Sequence, residues 1–293
     1  MRYASPQALR MALSQRLLTQ SETTGVSLDR LRRRVLFERI ITRLYAAEPG
    51  IWVVKGGMAL EVRLRDEARL TKDLDLGLRA TVQASGDLKA RLIEALSIDP
   101  DKDGFMLSVG SVKRLMEDNQ GQATWRASIA AQLAGKPFGG MQVDVSPRLY
   151  ELDETDFMVL PNFLDFAGIQ PPEVELVSVD RHVAEKFHGM LKEFPDRENT
   201  RVRDLVDLVL LNEHGLVDPE RAVESVRSVW AERNEILPDE FPSLPVSWPD
   251  RYEAMAAELN LAAASFSEAV AVVRTLWEAM FDKRQRRTSA DSC

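Results

Sequence analysis

Two neighbouring stretches decide the fold: Lys55-Gly56-Gly57-Met58-Ala59-Leu60, and further along Arg69-Leu70-Thr71-Lys72-Asp73-Leu74-Asp75-Leu76. A short apolar run at residues 51–54 leads into the diglycine, and this pattern predicts a strand followed by a helix over residues 58–65. Glycines at the start of a helix let backbone N–H groups approach an anion closely, and the helix N-terminus adds a favourable dipole. A diglycine turn is most often only a turn, so its meaning depends on the second stretch.

The second stretch places two carboxylates on one face of a predicted strand. Asp73 and Asp75 are two residues apart, so both face one side, while Leu74 and Leu76 face the other. Two carboxylates on one strand face repel each other unless a cation lies between them. Magnesium fits because it prefers oxygen ligands and commonly bridges carboxylates to substrate phosphates. Two ordinary surface aspartates are the alternative, and the diglycine upstream favours the metal site.

A third carboxylate comes from residues 141–145. Every second residue there is apolar, so Gln142 and Asp144 are predicted to face outward. If this strand neighbours residues 70–78, Asp144 lies beside the aspartate pair. Sites with two metal ions hold them about 3.5–4 Å apart and need such a density of carboxylates. A single strand aspartate is otherwise uninformative, so this prediction depends on the strand order.

The chain divides into three predicted segments, residues 1–50, 51–179 and 180–293. Helical spacing after the cap candidates Ser5-Pro6 and Ser27 predicts N-terminal helices packed on the core. The middle segment is predicted to be an α/β core, with a helix over 87–96 and strands over 105–112, 123–133 and 141–145. The last segment is predicted to be helical over 180–191, 201–211, 219–230, 251–259 and 267–284, with a proline-rich loop at 237–249.

Composition narrows the class of protein. The 293 residues are 45% hydrophobic and 29% charged, the balance of a soluble globular protein, and no run of about eighteen apolar residues suggests a membrane span. The only cysteine, Cys293, excludes internal disulfides and a thiolate metal cluster and suits a reducing cytoplasm. A net charge of −8 argues against blanket binding to nucleic acid and leaves room for a local basic patch.

These motifs resemble a known family. The two opening stretches are similar to the first motif of the AbiEii/AbiGii nucleotidyltransferase toxins, which belong to type IV toxin–antitoxin and phage abortive-infection systems and include the mycobacterial MenT group. Val183-Ala184-Glu185-Lys186-Phe187-His188 resembles the family's Glu-Lys helix motif. Arg201-Val202-Arg203-Asp204-Leu205-Val206-Asp207-Leu208 resembles its Arg-x-Lys-Asp motif, with arginine where lysine is usual.

The resemblance implies an α+β fold with a polymerase-β-like nucleotidyltransferase core, a small mixed sheet with flanking helices, plus a helical C-terminal lobe. It implies that Asp73 and Asp75 hold magnesium ions, with manganese as a substitute, and that these grip a nucleoside triphosphate. It also implies that Gly56 and Gly57 cradle the phosphates. Thr71, where some relatives have serine, joins the nucleotide-binding residues.

For the helical lobe, the resemblance implies that Lys186 contacts the triphosphate and that Asp204 completes the active site. A lysine there would act as a point charge that neutralises the leaving pyrophosphate, and an ordinary surface lysine is the alternative. Arg201 and Arg203 either bind phosphate or pair with Asp204 and Asp207.

The implied function is that of a bacterial toxin enzyme. Family members transfer a nucleoside monophosphate, and the MenT group adds pyrimidine nucleotides to the acceptor end of tRNA, which blocks translation. The implied partners are the triphosphate, tRNA and a cognate antitoxin, with no membrane. A nucleotidyltransferase acting on a protein or small molecule, and a catalytically idle nucleotide-binding module, are the alternatives. Such transfer needs no histidine base, so His182 and His188 are interpreted as structural or surface residues.

An RNA acceptor end needs a positive track and stacking surfaces. Candidates for the track are the arginines at positions 30, 32, 33, 34 and 39 and the basic tail Lys283-Arg284-Gln285-Arg286-Arg287. For the helix arginines, a solvated face is the favoured interpretation and an RNA contact the alternative. Trp125 and Trp248 are the candidates for stacking.

Overall fold

The computed structural model describes residues 3–117 and 122–281, without the side chain of Met116. Its helices there are α1 (Pro6–Thr24), α2 (Leu28–Ala47), α3 (Gly56–Leu64), α4 (Ser85–Ser97), α5 (Val179–Leu191), α6 (Val202–Glu213), α7 (Pro219–Glu232), α8 (Pro249–Leu259) and α9 (Phe266–Phe281). Its strands are β1 (Trp52–Lys55), β2 (Asp73–Leu78), β3 (Phe105–Glu117), β4 (Ala123–Leu133), β5 (Lys136–Ser146), β6 (Thr155–Val159) and β7 (Glu173–Val177). The basic tail at 283–287 and Cys293 lie outside the described residues. In the described ranges, no helix has the length and apolar character needed to cross a membrane.

By their contacts the residues fall into two compact units. The first comprises the chain up to Asp66 together with Leu70–Val177, and the second comprises Glu67–Arg69 together with the chain from Ser178 onward. The first unit is the mixed α/β part of the fold. The second is built from helices α5 to α9, in which α5 packs on α6 and α7 while α9 packs on α6 and α7.

The first unit contains a mixed sheet whose strand order is β3-β4-β5-β2-β1-β7-β6. The pairs β2–β5 and β1–β7 are parallel, and the other neighbouring pairs are antiparallel. This confirms the predicted mixed sheet with flanking helices. It also confirms that the strand carrying Asp144 lies directly beside the strand carrying Asp73 and Asp75.

On β2, β4 and β5 buried and more exposed side chains largely alternate, so these strands have an apolar face and a polar face, whereas all four residues of β1 are buried. On β4, for example, Trp125, Ala127 and Ile129 are buried and the intervening residues are more exposed. The buried side chains join those of α1, α2 and α4 in one core. The polar face therefore carries the residues between them, including those of the candidate site.

Both predicted N-terminal caps are present. The hydroxyl of Ser5 accepts a hydrogen bond from the Ala8 amide at 3.2 Å, and that of Ser27 accepts one from the Arg30 amide at 3.3 Å. Each bond satisfies an amide that the first turn of a helix leaves without a partner. Strand β6 was not predicted. Its apolar residues Phe157 and Val159 are exposed at the edge of the sheet, so no burial pattern marks it.

The predicted solvated face of arginines on α2 is wrong for Arg34 and Arg39, which are 6% and 0% exposed. Arg34 donates to Glu61 at 2.6 Å, and Arg39 donates to Asp101 at 2.7 Å and to Asp103 at 3.0 Å. These guanidiniums are buried because carboxylates from distant segments neutralise them. Neither is available as an RNA-contacting side chain.

Candidate active site

Strand β1 runs into helix α3 with no intervening loop, at the diglycine. Gly56 has a φ of +57°, and a Cβ atom built on it would lie 2.0 Å from Oδ2 of Asp75. Only glycine fits, since any side chain would be strained by the backbone conformation and would collide with the carboxylate. The start of α3 and the carboxylate of Asp75 are therefore in direct contact. Lys55, the residue at the cap position, makes no side-chain bond to the first amides of α3.

Asp73 and Asp75 lie on the same face of β2, as predicted. Both are partly buried, while Leu74 and Leu76 between and after them are fully buried on the other face. The hydroxyl of Thr71 donates a long hydrogen bond, 3.4 Å, to the carbonyl oxygen of Asp73. Thr71 thus supports the backbone where the carboxylate pair begins, and its predicted role in nucleotide binding stays a prediction.

Asp144 is directly in register with Asp75 on the neighbouring parallel strand. Its carboxylate is held by Arg126 of β4, whose Nε donates to Oδ1 at 2.7 Å and whose Nη2 donates to Oδ2 at 2.6 Å. The hydrogen bond to Asp144, helped by the charges of Asp144, Asp73 and Asp75, outweighs burial and raises the pKa of Arg126. Sequence reasoning missed Arg126, because its partner is visible only once β4 and β5 are paired.

Four strands place charged residues in one row across the sheet: Lys55, Asp75, Asp144 and Arg126. The two carboxylates are thus flanked by a cation on either side. The ammonium of Lys55 is bound to the buried carboxylate of Glu151. A cation on each side of the carboxylate pair lowers the repulsion that these adjacent carboxylates would otherwise suffer.

The donors of this row suit magnesium in kind. Carboxylate oxygens are its preferred protein ligands, and Mg²⁺ commonly uses only one or two of them with water and substrate phosphates completing its shell. Among the described residues, no group of three or more His, Cys, Asp or Glu side chains is gathered closely enough to hold a metal ion. Asp73 and Asp75 therefore fit as a two-carboxylate site, while the carboxylate of Asp144 is turned to Arg126.

An open cavity of about 740 Å³ adjoins Asp73 on the polar face of the sheet. Its floor consists largely of small or polar residues of β3, β4 and β5, and its rim carries two cations together with the carboxylate of Asp29, which is paired to one of them, Arg33. These residues are Ser108, Gly110, Ser128, Ala130, Gly140 and Gln142 on the floor and Arg33 and Lys72 on the rim. A polymer with an exposed phosphate backbone can approach such a surface closely because few side chains project from it.

In the second unit, Lys186 of α5 lies between two carboxylates of α6. Its Nζ is 2.9 Å from Oδ1 of Asp204 and 2.7 Å from Oδ2 of Asp207. Asp207 also accepts two bonds from Arg69, at 2.6 and 2.9 Å, and Asp204 accepts one from Arg201. The predicted pairing of Arg201 with Asp204 is confirmed, and the interpretation of Lys186 as an ordinary surface lysine is wrong.

The electrostatics of this cluster keep Lys186 and Asp207 charged. Burial disfavours the charged form of Lys186, but Asp204 and Asp207 overcome it and raise the lysine pKa. Burial likewise opposes ionisation of Asp207, but Lys186 and Arg69 lower its pKa to about 2. Gly189 lets α5 and α6 approach here, since an added Cβ would lie 2.6 Å from both Arg201 Nε and Asp204 Oδ2.

His182 and His188 are buried, which favours the structural interpretation over the surface one. His182 is 1% exposed, and Nε2 of His188 lies 2.8 Å from Oε2 of Glu235. The prediction that Trp125 and Trp248 stack on RNA bases is wrong, because these side chains are 5% and 0% exposed. The indole N–H of Trp248 donates to the carbonyl of Asn199 at 2.7 Å, so this ring anchors the proline-rich loop within the second unit.

Comparisons with known proteins identify the family of this chain. Residues 39–286 match the model of the family described as nucleotidyl transferase AbiEii toxin of type IV toxin–antitoxin systems. The fold is similar to MenT4, a nucleotidyltransferase toxin from Mycobacterium tuberculosis, with a TM-score of 0.50, 16% identity and 96% of both chains covered. JHP933 from Helicobacter pylori aligns with a TM-score of 0.47 and 15% identity, over 90% of this chain and 97% of that one. No curated protein matches in sequence. The length and extent of the family match establish that this chain belongs to the AbiEii nucleotidyltransferase toxins of type IV toxin–antitoxin systems.

Proposed function

We propose that this protein is a magnesium-dependent toxin that transfers a nucleoside monophosphate, from a pyrimidine nucleoside triphosphate, to the 3′ end of tRNA and so blocks translation. The observation that carries the proposal is the placement of Asp73 and Asp75 on one strand face, against the glycine start of α3. A cognate antitoxin, as the family implies, would restrain it. We propose the cytoplasm as its location, since its substrates are there.

In the proposed step the 3′-hydroxyl oxygen of the RNA attacks the α-phosphorus of the triphosphate. A bond forms between these atoms, the bond from the α-phosphorus to the oxygen bridging to the β-phosphate breaks, and pyrophosphate leaves while the hydroxyl proton passes to solvent. Bound magnesium would neutralise charge on the phosphate oxygens. Asp73 and Asp75 would hold it, and Mn²⁺ would substitute for it. Gly56, Gly57 and Thr71 would position the phosphates, because backbone amides can approach an anion closely where no side chain intervenes.

The roles proposed for Lys186 and Asp204 follow from their ion pairs. Lys186 stays protonated because two carboxylates face it, so it can supply a fixed positive charge for the triphosphate. Asp204 would position that ammonium. Positioning and electrostatics supply most of the rate enhancement in phosphoryl-type transfers.

The cavity beside Asp73 supports a polymeric acceptor. It is open, its floor is small and polar, and Lys72 and Arg33 lie on its rim. Single-stranded RNA is bound through its backbone charge and its unpaired bases. Arg34 and Arg39 of α2 are buried and contribute no such track, so the candidate acceptor surface is this cavity, with Arg33 as the α2 arginine that lines it.

The test is incubation of the protein with total tRNA, Mg²⁺ and each α-labelled nucleoside triphosphate in turn. We expect label on intact tRNA with CTP or UTP, and none on periodate-oxidised tRNA, which lacks the attacking 3′-hydroxyl. Asp75→Asn should reduce labelling by roughly 100-fold or more, because it removes a metal ligand. Asp153→Asn, at an exposed aspartate of the same unit, is the matched control and should be active.

Other outcomes separate the alternatives. Equal labelling of oxidised and intact tRNA would exclude transfer to the 3′ end. Label on a protein or a small molecule would identify a nucleotidyltransferase with another acceptor. Nucleotide binding without transfer to any acceptor would identify an idle nucleotide-binding module, and normal activity of Asp75→Asn would remove Asp75 from the active site.

A further inference from the structure

Arg126 lies at the candidate site, and the proposed function gives it no role. It projects from β4 beside the carboxylate row and forms a fork with Asp144 through two bonds of 2.7 and 2.6 Å. Such bidentate pairs between a guanidinium and a carboxylate are among the strongest polar contacts in proteins. The side chain of Arg126 is 40% exposed and that of Asp144 is 15% exposed, so the fork closes over Asp144 from the open side.

This pair changes what an incoming cation meets. Asp73, Asp75 and Asp144 together carry three negative charges, and Arg126 offsets one of them. Both oxygens of Asp144 already accept a hydrogen bond from the guanidinium. A divalent ion approaching Asp75 therefore meets a positive charge one strand beyond Asp144, and it finds the third carboxylate engaged.

We propose that Arg126 is a positioning residue that competes with the divalent cation for Asp144. In the absence of the ion the guanidinium pairs with Asp144, and the ion alone binds weakly because both oxygens of Asp144 are engaged by Arg126. A nucleotide that brings its own phosphate oxygens to the ion offsets this competition, and the planar fork of arginine matches a phosphate as well as a carboxylate. Arg126 thus makes occupancy of the metal site depend on the nucleotide. This inference rests on the proposed function, because it requires a cation at Asp73 and Asp75.

The competition predicts that removal of the ion pair between Arg126 and Asp144 strengthens binding of the divalent cation. The affinity of the full-length protein for Mn²⁺, without nucleotide, can be measured from the loss of the free-ion EPR signal. Arg126→Gln should bind Mn²⁺ at least about tenfold more tightly than the unaltered protein, because a positive charge near the ion is removed and Asp144 is released. A residue that only supported the fold would leave this affinity unchanged or lower it.

Two further variants separate the effect of the ion pair between Arg126 and Asp144 from the effect of removing any nearby positive charge. Lys113→Gln removes one positive charge at an exposed lysine in register with Arg126 on β3, and it should change Mn²⁺ affinity by less than about threefold. In an Asp144→Asn background, Arg126→Gln should produce much less gain, because no carboxylate is left to release. Thermal melting of each variant checks that the fold is intact.

The nucleotide dependence gives a second readout. A non-hydrolysable triphosphate analogue should tighten Mn²⁺ binding in the unaltered protein more than in Arg126→Gln. The variant has no guanidinium that competes with the ion for Asp144, so the analogue has no competition to offset. Unchanged or weaker Mn²⁺ binding by Arg126→Gln, or an equal gain in Lys113→Gln, would overturn the inference while leaving the proposed function standing. Failure of the unaltered protein to bind Mn²⁺, with or without the analogue, would overturn both.

Discussion

At the scale of single residues, the contact between Gly56 and Asp75 shows how closely the candidate site is built. The glycine has a left-handed backbone conformation, and there is no room for a Cβ atom beside the carboxylate. The same glycine begins α3, so the helix start and the face of β2 that carries Asp73 and Asp75 are joined at one point. A substitution here displaces Asp75 without removing any functional group.

Gly56→Ala should therefore lower nucleotidyl transfer on the order of 100-fold, because displacement of a ligand by about an ångström is enough for such a loss. Gly50→Ala is the matched control. Gly50 also has a positive φ, +73°, but no atom lies within 4 Å of its added Cβ. Both variants should lose roughly 1 kcal/mol of folding free energy from backbone strain. Equal activity of the two variants, measured with labelled nucleotide, would show that the contact with Asp75 is unimportant.

Lys186 carries a second residue-scale prediction, in which stability and activity both change. Lys186→Ala leaves the buried carboxylates of Asp204 and Asp207 with less compensation, so the free energy of unfolding should fall by about 3 kcal/mol. Activity should also fall, and Lys186→Arg should restore it only in part, because a planar fork does not replace a compact ammonium. Urea denaturation measures the first effect. Full activity of Lys186→Ala under conditions where it is folded would limit this lysine to a structural role.

At the scale of elements, the strand pairing of the first unit determines what lies beside the carboxylates. Strand β2 is paired to β1 on one side and to β5 on the other, so residues from three separate parts of the sequence share its polar face. Beyond β5, the faces of β4 and β3 continue as the floor of the cavity next to Asp73. The same strands that bury the core thus provide a surface of small residues.

The cavity beside Asp73 can be partly filled by a substitution that changes no charged residue. Ala130 is exposed and lines the cavity, so Ala130→Trp should fill part of it and raise the tRNA concentration needed for half-maximal labelling by about tenfold. Binding of nucleotide and metal should be unchanged. Gln132→Trp adds the same ring two residues further along β4 at another exposed position, and should act as the unaltered protein does. If neither tryptophan affects the acceptor, the acceptor surface lies elsewhere.

At the scale of the whole molecule, the ion pairs between charged side chains matter more than the net charge of the chain. The chain has 38 basic and 46 acidic residues, and many of its arginines in the described ranges are bound to carboxylates. An acidic protein that binds RNA must do so through local contacts, so binding should weaken steeply with added salt. Pairing also links stability to pH.

The clearest link between stability and pH is His188, which packs at 5.0 Å from the ring of Trp230. Burial, with a smaller contribution from Arg233, lowers the pKa of His188 to about 4 despite its bond to Glu235. Between this value and the usual 6.5, the unfolded chain binds a proton that the folded chain does not. Stability should therefore be fully present above about pH 6.5 and decline as pH falls towards 4, by at most about 1.4 kcal/mol per pH unit.

His188→Gln should flatten this decline, as measured by urea denaturation followed through tryptophan fluorescence between pH 4 and 7. His214→Gln is an informative comparison. Its bond to Glu67, helped by the carbonyl of Leu210, raises the pKa of His214, so its contribution to stability is present at low pH and lost as pH rises. The two substitutions should thus change the pH dependence in opposite directions. An unaltered decline in His188→Gln would assign the effect to other groups.

The sequence by itself determined the local elements and the first two carboxylates. Cap residues, the period of apolar side chains and the diglycine are all local signals, because each depends on residues a few positions apart. They predicted the helices and most of the strands, the common face of Asp73 and Asp75, and the helical character of the chain after residue 179. The edge strand β6 escaped because its apolar side chains are exposed, which removes the contrast between faces.

Only the tertiary structure decided which distant charges meet. Asp144 comes beside Asp75, Arg126 closes on Asp144, and Arg69 joins Asp207, although long stretches of sequence separate the members of each pair. The arginines of α2 have the polar pattern of a solvated helix face, yet Arg34 and Arg39 are buried by acidic residues from later segments. In a sequence pattern every arginine counts as a polar residue, whether its side chain is solvated or buried in an ion pair. Whether it is solvated or paired depends on which opposite charge the fold brings within hydrogen-bonding distance, because burial is favourable only when a charge is compensated.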